Sequence, residues 1–159
     1  MKLLLLGHSR HGKDTVAELL GLSFCSSSEF AADHVIFPIL GPKYGYESPL
    51  ACFQDRHQHR KEWFDIISDY NREDPCRLAK ALLAVCDVYV GMRSSVEFQG
   101  CRHLFDLVVW VDALDRHPPE DAESCSVTPF HAHYILDNNG SLEDLAQQVS
   151  RLKNKIFLI

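Results

Sequence analysis

Residues 2–15, KLLLLGHSRHGKDT, decide how this chain is read. Lys2 to Leu6 is a short apolar run of the kind that fills a buried parallel strand. Gly7-His8-Ser9-Arg10-His11-Gly12-Lys13 then matches G-x-x-x-x-G-K, followed by Asp14 and Thr15. The next residues, DTVAELLGL, read as a helix with Val16, Leu19 and Leu20 on one face and Gly21 as its stop. Strand, Gly-bounded loop and helix are the context this motif demands. Glycines at both ends let backbone N–H groups turn inward around a phosphate, and the helix N-terminus adds positive potential. Lys13 is placed to reach the outer phosphates of a nucleoside triphosphate. The Ser or Thr that normally follows the lysine is replaced by Asp14, a hard oxygen ligand for Mg²⁺, directly or through water. Thr15 would offer its hydroxyl to a phosphate nearer the sugar. The competing reading is a plain strand-to-helix turn with a chance lysine.

Outward from this loop, apolar and helical segments alternate. Ser23–Ser28 reads as a short strand entering a Ser-rich turn. Residues 38–49, with Pro38, Pro42, Pro49, Gly41 and Gly45, read as a loop. Leu50 to Tyr70 is expected to be one helix, and Asp74-Pro75 to start another with a stripe of Leu78, Leu82 and Val85. Residues 87–93 form the next strand, and Ser94 with Glu97 offers a capping box. LVVWVDA (107–113) is the strongest strand of the chain. A polar connection over 114–130 leads to a last strand and turn in HYILDNNG. Leu142, Leu145, Val149, Leu152 and Ile156 then mark a final amphipathic helix. Strands apolar along their length, alternating with helices, imply an α/β fold with a parallel sheet covered on both faces.

The 159 residues are enough for one domain, 1–159, and at 46% hydrophobic the chain is not disordered. With 16 Lys+Arg against 22 Asp+Glu the net charge is −6, which argues against a dedicated nucleic-acid binder. A local pocket of Arg and Lys for a small anion stays open. The opening MKLLLLG is too short for a signal-peptide core or a membrane span, so no membrane association is expected. Six cysteines (25, 52, 76, 86, 101 and 125) are spread along the chain with no C-x-x-C pair. They read as reduced, mostly buried thiols of a cytoplasmic protein.

DRHQHRKEW (55–63), VYVGMRSSVEF (88–98), LFDLVVWVDA (104–113) and YILDNNGSLEDL (134–145), together with the GKDT form of the loop, carry a family resemblance. The chain resembles the bacteriophage deoxynucleoside monophosphate kinases, within the P-loop kinases that include adenylate kinase and dephospho-CoA kinase. The resemblance implies a three-layer P-loop kinase fold with lid and acceptor-binding segments, the lid at about 114–130. It implies ATP-dependent phosphorylation of a (deoxy)nucleoside monophosphate to the diphosphate, with Mg²⁺. Host cytoplasm and small-molecule nucleotide partners follow from the same likeness, and homodimers occur in the group. The apolar tail 156–159 is a candidate for capping the core or meeting a second copy. Two other readings stay open: a dephospho-CoA kinase-like enzyme, suggested by DNNGSLEDL, and a P-loop nucleotide-binding protein without turnover.

Phosphoryl transfer asks mainly for positioning and charge neutralisation, for which the planar fork of arginine is suited. Arg93 ends the third strand at the carboxyl edge of the sheet, and in related kinases an arginine here grips the acceptor phosphate. Arg56 and Arg60, four apart, fall on one helix face and are further candidates for that phosphate; a solvated basic face is the rival reading. Arg116 stands in the lid segment, where many relatives carry two or more arginines, and is expected to close on the ATP phosphates or adenine. Lys13, Arg93 and Arg116 are the expected catalytic charges. Ser27, Ser28 and Asp33 lie on the acceptor side, and Tyr44 and Tyr46 are candidates for stacking on a base. Asp112 is a candidate for ordering Mg²⁺-bound water, and Asn138 turns beside the expected adenine position. Glu120, Asp121 and Glu123 would repel phosphates from inside the site, so solvent or the acceptor's base or sugar is their expected surrounding. The pairs His57/His59 and His131/His133 lack a third ligand at sensible spacing, and Trp63 and Trp110 read as core.

Overall fold

A computed structural model describes residues 1–157. Five strands, β1 (Leu3–Leu6), β2 (Phe24–Ser26), β3 (Val88–Val90), β4 (Leu107–Asp112) and β5 (Tyr134–Asp137), form one sheet of order β2-β3-β1-β4-β5. Every pairing is parallel. β1 lies at the centre, and all four of its leucines are fully buried. Their continuous apolar run is the signature of a strand covered on both sides.

The pleat sorts the side chains into two cores. Leu3 and Leu5, with Val88, Val90, Val109, Val111 and Leu136, pack under α1 (Lys13–Leu20) and α8 (Leu142–Phe157). Leu4 and Leu6, with Tyr89, Val108 and Trp110, pack under the helices between β2 and β4. These are α2 (Ser27–Ala31), α3 (Phe37–Tyr44), α4 (Pro49–Gln54), α5 (Arg60–Tyr70), α6 (Arg77–Val85) and α7 (Ser95–Cys101). The result is a three-layer α/β fold. After β1 the chain runs to one edge of the sheet, whereas after β4 it runs to the other. The divergence opens a crevice at the carboxyl ends of β1 and β4, where open α/β sheets bind ligands.

Helix ends follow their local signals. Gly21 closes α1 in the left-handed conformation, and the Ser94 hydroxyl accepts the Glu97 N–H at the start of α7. Asp74 Oδ1 accepts the Cys76 N–H just ahead of α6. Trp63 and Trp110 are buried, and α8 buries Leu145, Val149 and Leu152. Leu142 stays exposed, while Ile156 packs at the edge of the core. Leu158 and Ile159, the end of the apolar tail, lie outside the described residues. No helix among the described residues is long and apolar enough to cross a membrane.

Three expectations are corrected. The Pro/Gly stretch 38–49 is not all loop: α3 covers Phe37–Tyr44, continuing a π-helical turn at Ala32–Ile36. Burial of Leu40 and Gly41 outweighs the backbone bonds that Pro38 and Pro42 cannot donate within this continuous helical run. The single helix over 50–70 is broken into α4, a 3₁₀ turn at Arg56–Gln58, and α5. Residues 54–62 (QDRHQHRKE) hold no apolar side chain, so nothing draws a continuous helix onto the core. The six thiols become four: Cys25 and Cys86 are joined in a disulfide with Cα atoms 6.2 Å apart, while Cys52, Cys76, Cys101 and Cys125 are free and buried. The two partners are 61 residues apart in sequence and become neighbours through the pairing of β2 with β3.

Candidate functional site

The loop from Gly7 to Gly12 crosses the crevice, and its two glycines are required by geometry. Gly7 has φ +145°, and a Cβ there would lie 2.5 Å from the Val111 carbonyl oxygen. Gly12, at φ +90°, caps α1, and a Cβ there would collide with the Asn138 amide. Arg10 also has a positive φ, 64°. Asn138 is buried, donates from Nδ2 to the His11 carbonyl at 2.9 Å, and ties its own N–H to Asp112 O at 2.6 Å. It therefore braces the back of the loop from the β5 turn.

His11 does the same from within. Fully buried, its Nδ1 accepts the Ala113 N–H at 3.0 Å and its Nε2 faces the His117 carbonyl at 3.3 Å. In this pairing Nδ1 is the acceptor and Nε2 the donor. The side chain of His11 thus joins the loop to the start of the connection over 114–130. His8 packs edge-on against Trp110, and its Nδ1 accepts the Glu120 N–H at 3.2 Å. Burial, and then the neighbouring His11, lower the His8 pKa and favour its neutral form.

A cavity of about 400 Å³ opens in front of the loop. Its wall gathers Ser9, Lys13, Asp14, Ser28, Arg56 and Arg93, with Arg10 at the same surface. Lys13 Nζ donates to the Gly7 and His8 carbonyls at 2.9 and 2.7 Å. Burial, and then the charge of Arg93, hold its ammonium below the usual lysine range. Arg56 lies over the Phe53 ring, 3.9 Å from its centroid, and donates to the Phe53 carbonyl at 2.9 Å. Burial, and then Arg93, lower its pKa as well, as befits two guanidinium groups sharing one cavity. Asp14, in the first turn of α1, exposes its carboxylate to this space. Thr15 is half-buried beside it.

Glu120 binds the loop and Arg93 together. It reaches in from the connection between β4 and β5, and Oε2 accepts the Ser9 N–H of the loop at 2.8 Å. Its other oxygen pairs with Arg93, and its charge is felt at Lys13. This corrects the expectation for Glu120, whereas Asp121 and Glu123 are exposed. Charge counting alone had no means of seeing that the Ser9 amide and Arg93 would both meet one carboxylate. Ser27, expected on the acceptor side with Ser28, lines the same wall, and its Oγ donates to the Gly91 carbonyl at 3.3 Å; Glu29, Phe53 and Gly91 on that wall were missed.

Other sequence candidates fall elsewhere. Arg60, separated from Arg56 by the broken helix, donates to His57 Nδ1 at 3.0 Å and does not line the cavity. Tyr44 stacks on His59 at 4.1 Å and bonds Glu62, while Tyr46 donates to Asp55 at 2.6 Å; neither ring faces the loop. Asp33 is exposed beside His34. Arg116 is exposed, and its guanidinium makes no hydrogen bond or ion pair among the described residues. A different set of potential metal ligands, His8, Glu120 and Cys125, has donor atoms within 4.8 Å of one another. His8 and Glu120 are already engaged as above, and burial first raises the Cys125 thiol toward its protonated form. A second hollow of about 480 Å³, lined by Ile39, Asp65, Ile66, Ser68, Asp69 and Arg72, has its single cation paired with Asp69. It offers nothing to a phosphate.

No protein-family model matches the chain, and no curated protein matches its sequence. Among solved structures, the fold is similar to that of TT1252 from Thermus thermophilus, with a TM-score of 0.55. Identity is 18% over 98% of this chain and 97% of that one, a likeness of fold alone.

Proposed function

We propose that the chain is a nucleoside monophosphate kinase, moving the γ-phosphoryl group of ATP to a (deoxy)nucleoside monophosphate. One observation carries the reading. The amide of Ser9, Lys13, Arg56 and Arg93 converge on one cavity, and a carboxylate of the protein already sits among three of them. Such a set fits two phosphorylated ligands meeting end to end. Lys13 and the loop amides serve the donor. Arg93 stands between donor and acceptor, and Arg56, held on Phe53, serves the acceptor phosphate beside Ser28.

The step is an in-line displacement. An oxygen of the acceptor phosphate attacks the γ-phosphorus, the bond to the β–γ bridging oxygen breaks, and ADP leaves with that electron pair. The acceptor is already ionised at neutral pH, so no general base is needed. Arg93 and Lys13 neutralise charge on the transferring group, the largest contribution expected for this chemistry. The donor set also suits Mg²⁺: Asp14 is a hard carboxylate on the cavity wall, and Asp112 is a second at the end of β4. These residues would hold the ion, which would supply positive charge to offset that of the donor phosphates. Arg116, outside the site in this conformation, reaches the triphosphate only after the lid rearranges.

A coupled ADP-release assay over dAMP, dGMP, dCMP, dTMP and dephospho-CoA tests the reading. Turnover on at least one monophosphate, dependent on Mg²⁺, is the expected result. Turnover on dephospho-CoA alone, or ATP binding with no turnover on any acceptor, overturns it.

A further inference from the structure

The cradle that fits a phosphate is filled by the protein itself, through a contact joining residues 111 apart in sequence. Glu120 is mostly buried, with its side chain 17% exposed. One carboxylate oxygen takes the loop amide of Ser9, the other takes Arg93, and its own backbone N–H is held by His8. The segment around it is anchored on both sides. Upstream, the His117 carbonyl is tied to His11, and Pro118 and Pro119 stiffen the approach. Downstream, Cys125 and Val127 are buried in the core, and Ser126 and Val127 donate their N–H groups to the Arg93 carbonyl at 2.9 and 3.2 Å. Arg93 is thereby gripped by the lid at both its side chain and its backbone. A phosphate needs the same Ser9 amide and the same guanidinium, so it and Glu120 exclude each other.

We propose that Glu120 is a built-in phosphate surrogate that latches the lid over the loop until a polyphosphate displaces it. The inference rests on the reading of Gly7–Thr15 as a phosphate loop. Displacement frees Glu120 and with it the lid, so binding of the donor drives the rearrangement that Arg116 requires. Apparent affinity is reduced by the fraction of molecules that are latched. A latch closed nine-tenths of the time therefore weakens binding about tenfold.

The test is titration calorimetry with inorganic tripolyphosphate, which reports the cradle without requiring turnover, paired with hydrogen exchange at Ser126 and Val127. Glu120→Gln keeps the shape and removes the charge. It should bind tripolyphosphate about tenfold more tightly than the wild type, and its two amides should exchange faster in the ligand-free protein. Glu123→Gln removes an equal charge from an exposed position of the same segment and should change neither readout. Equal or weaker binding by Glu120→Gln overturns the latch while leaving the loop reading intact, and so does equal tightening by Glu123→Gln. Failure of all three proteins to bind tripolyphosphate overturns the loop reading itself.

Discussion

The Gly7–Gly12 loop and the connection over 114–130 face each other across one crevice and are built by opposite means. The loop is short, bounded by glycines whose backbone angles few other residues adopt, and braced by the buried His11 and Asn138. Its shape is set by neighbours in sequence and by the strand ends on which it stands. The lid, from Leu114 to Phe130, has no strand or α-helix, and only Cys125 and Val127 of its side chains reach the core. Its position rests on a few polar contacts, above all Glu120 with Ser9 and Arg93. A preorganised cradle suits electrostatic catalysis, whereas a cover with few buried contacts suits exchange between positions.

Substitutions on the two sides should therefore differ in kind. Lys13→Ala strikes the cradle and carries the largest expected effect: a loss of kcat/KM on the order of 10³-fold, with ATP binding abolished in calorimetry. Normal turnover in this variant would remove the loop from the chemistry. Arg116→Ala strikes the cover. It should lower kcat on the order of 10²-fold with little change in ATP affinity and no change in thermal midpoint, because the guanidinium is exposed and unpaired among the described residues. A kcat within twofold of wild type would leave the catalytic charge to Arg93 and Lys13 alone.

Asn138→Ala tests how far the loop depends on its brace. It strips the His11 carbonyl of a buried donor and should cost about 1–3 kcal/mol in denaturant unfolding, together with weaker nucleotide binding. Loss of stability with unchanged affinity would mean the loop keeps its shape unaided. The smallest effect concerns pH. Burial, and then Arg93, push the Lys13 pKa down, so its ammonium loses its proton at a lower pH than an ordinary lysine. Nucleotide affinity should fall as pH rises through that lowered value. In Lys13→Arg the fall should move toward higher pH, because a guanidinium keeps its charge. A flat affinity across the alkaline range would show that the lysine charge is not what holds the ligand.

The same division runs through what was legible in the sequence. The all-leucine β1, the glycine-bounded turn that leads from it into α1, the end of α1 at Gly21 and the strand at 107–112 are local features, and the structure forms each where the sequence placed it. The stretch 38–70 misled for a stated reason. Prolines and glycines were weighted as breakers without knowing that Leu40 and Gly41 would be buried, and an apolar period was carried through a segment with no apolar residue. Arg56 and Arg60 then appeared equivalent, whereas the break turns one into the cavity and leaves the other outside.

By itself the sequence determined the layered α/β architecture and the position of the glycine-bounded loop between β1 and α1. Apolar runs, glycine spacing and helix stops act over a few residues, where the chain needs no partner to take its form. Only the tertiary structure decided which arginines share the cavity, that Cys25 meets Cys86, and that Glu120 lies against Ser9. Each depends on strand order and on segments 37 to 111 residues apart in sequence meeting in space. The energies that choose among such meetings, burial of a guanidinium or pairing of a carboxylate with an amide, do not exist until the sheet has brought both partners to one edge.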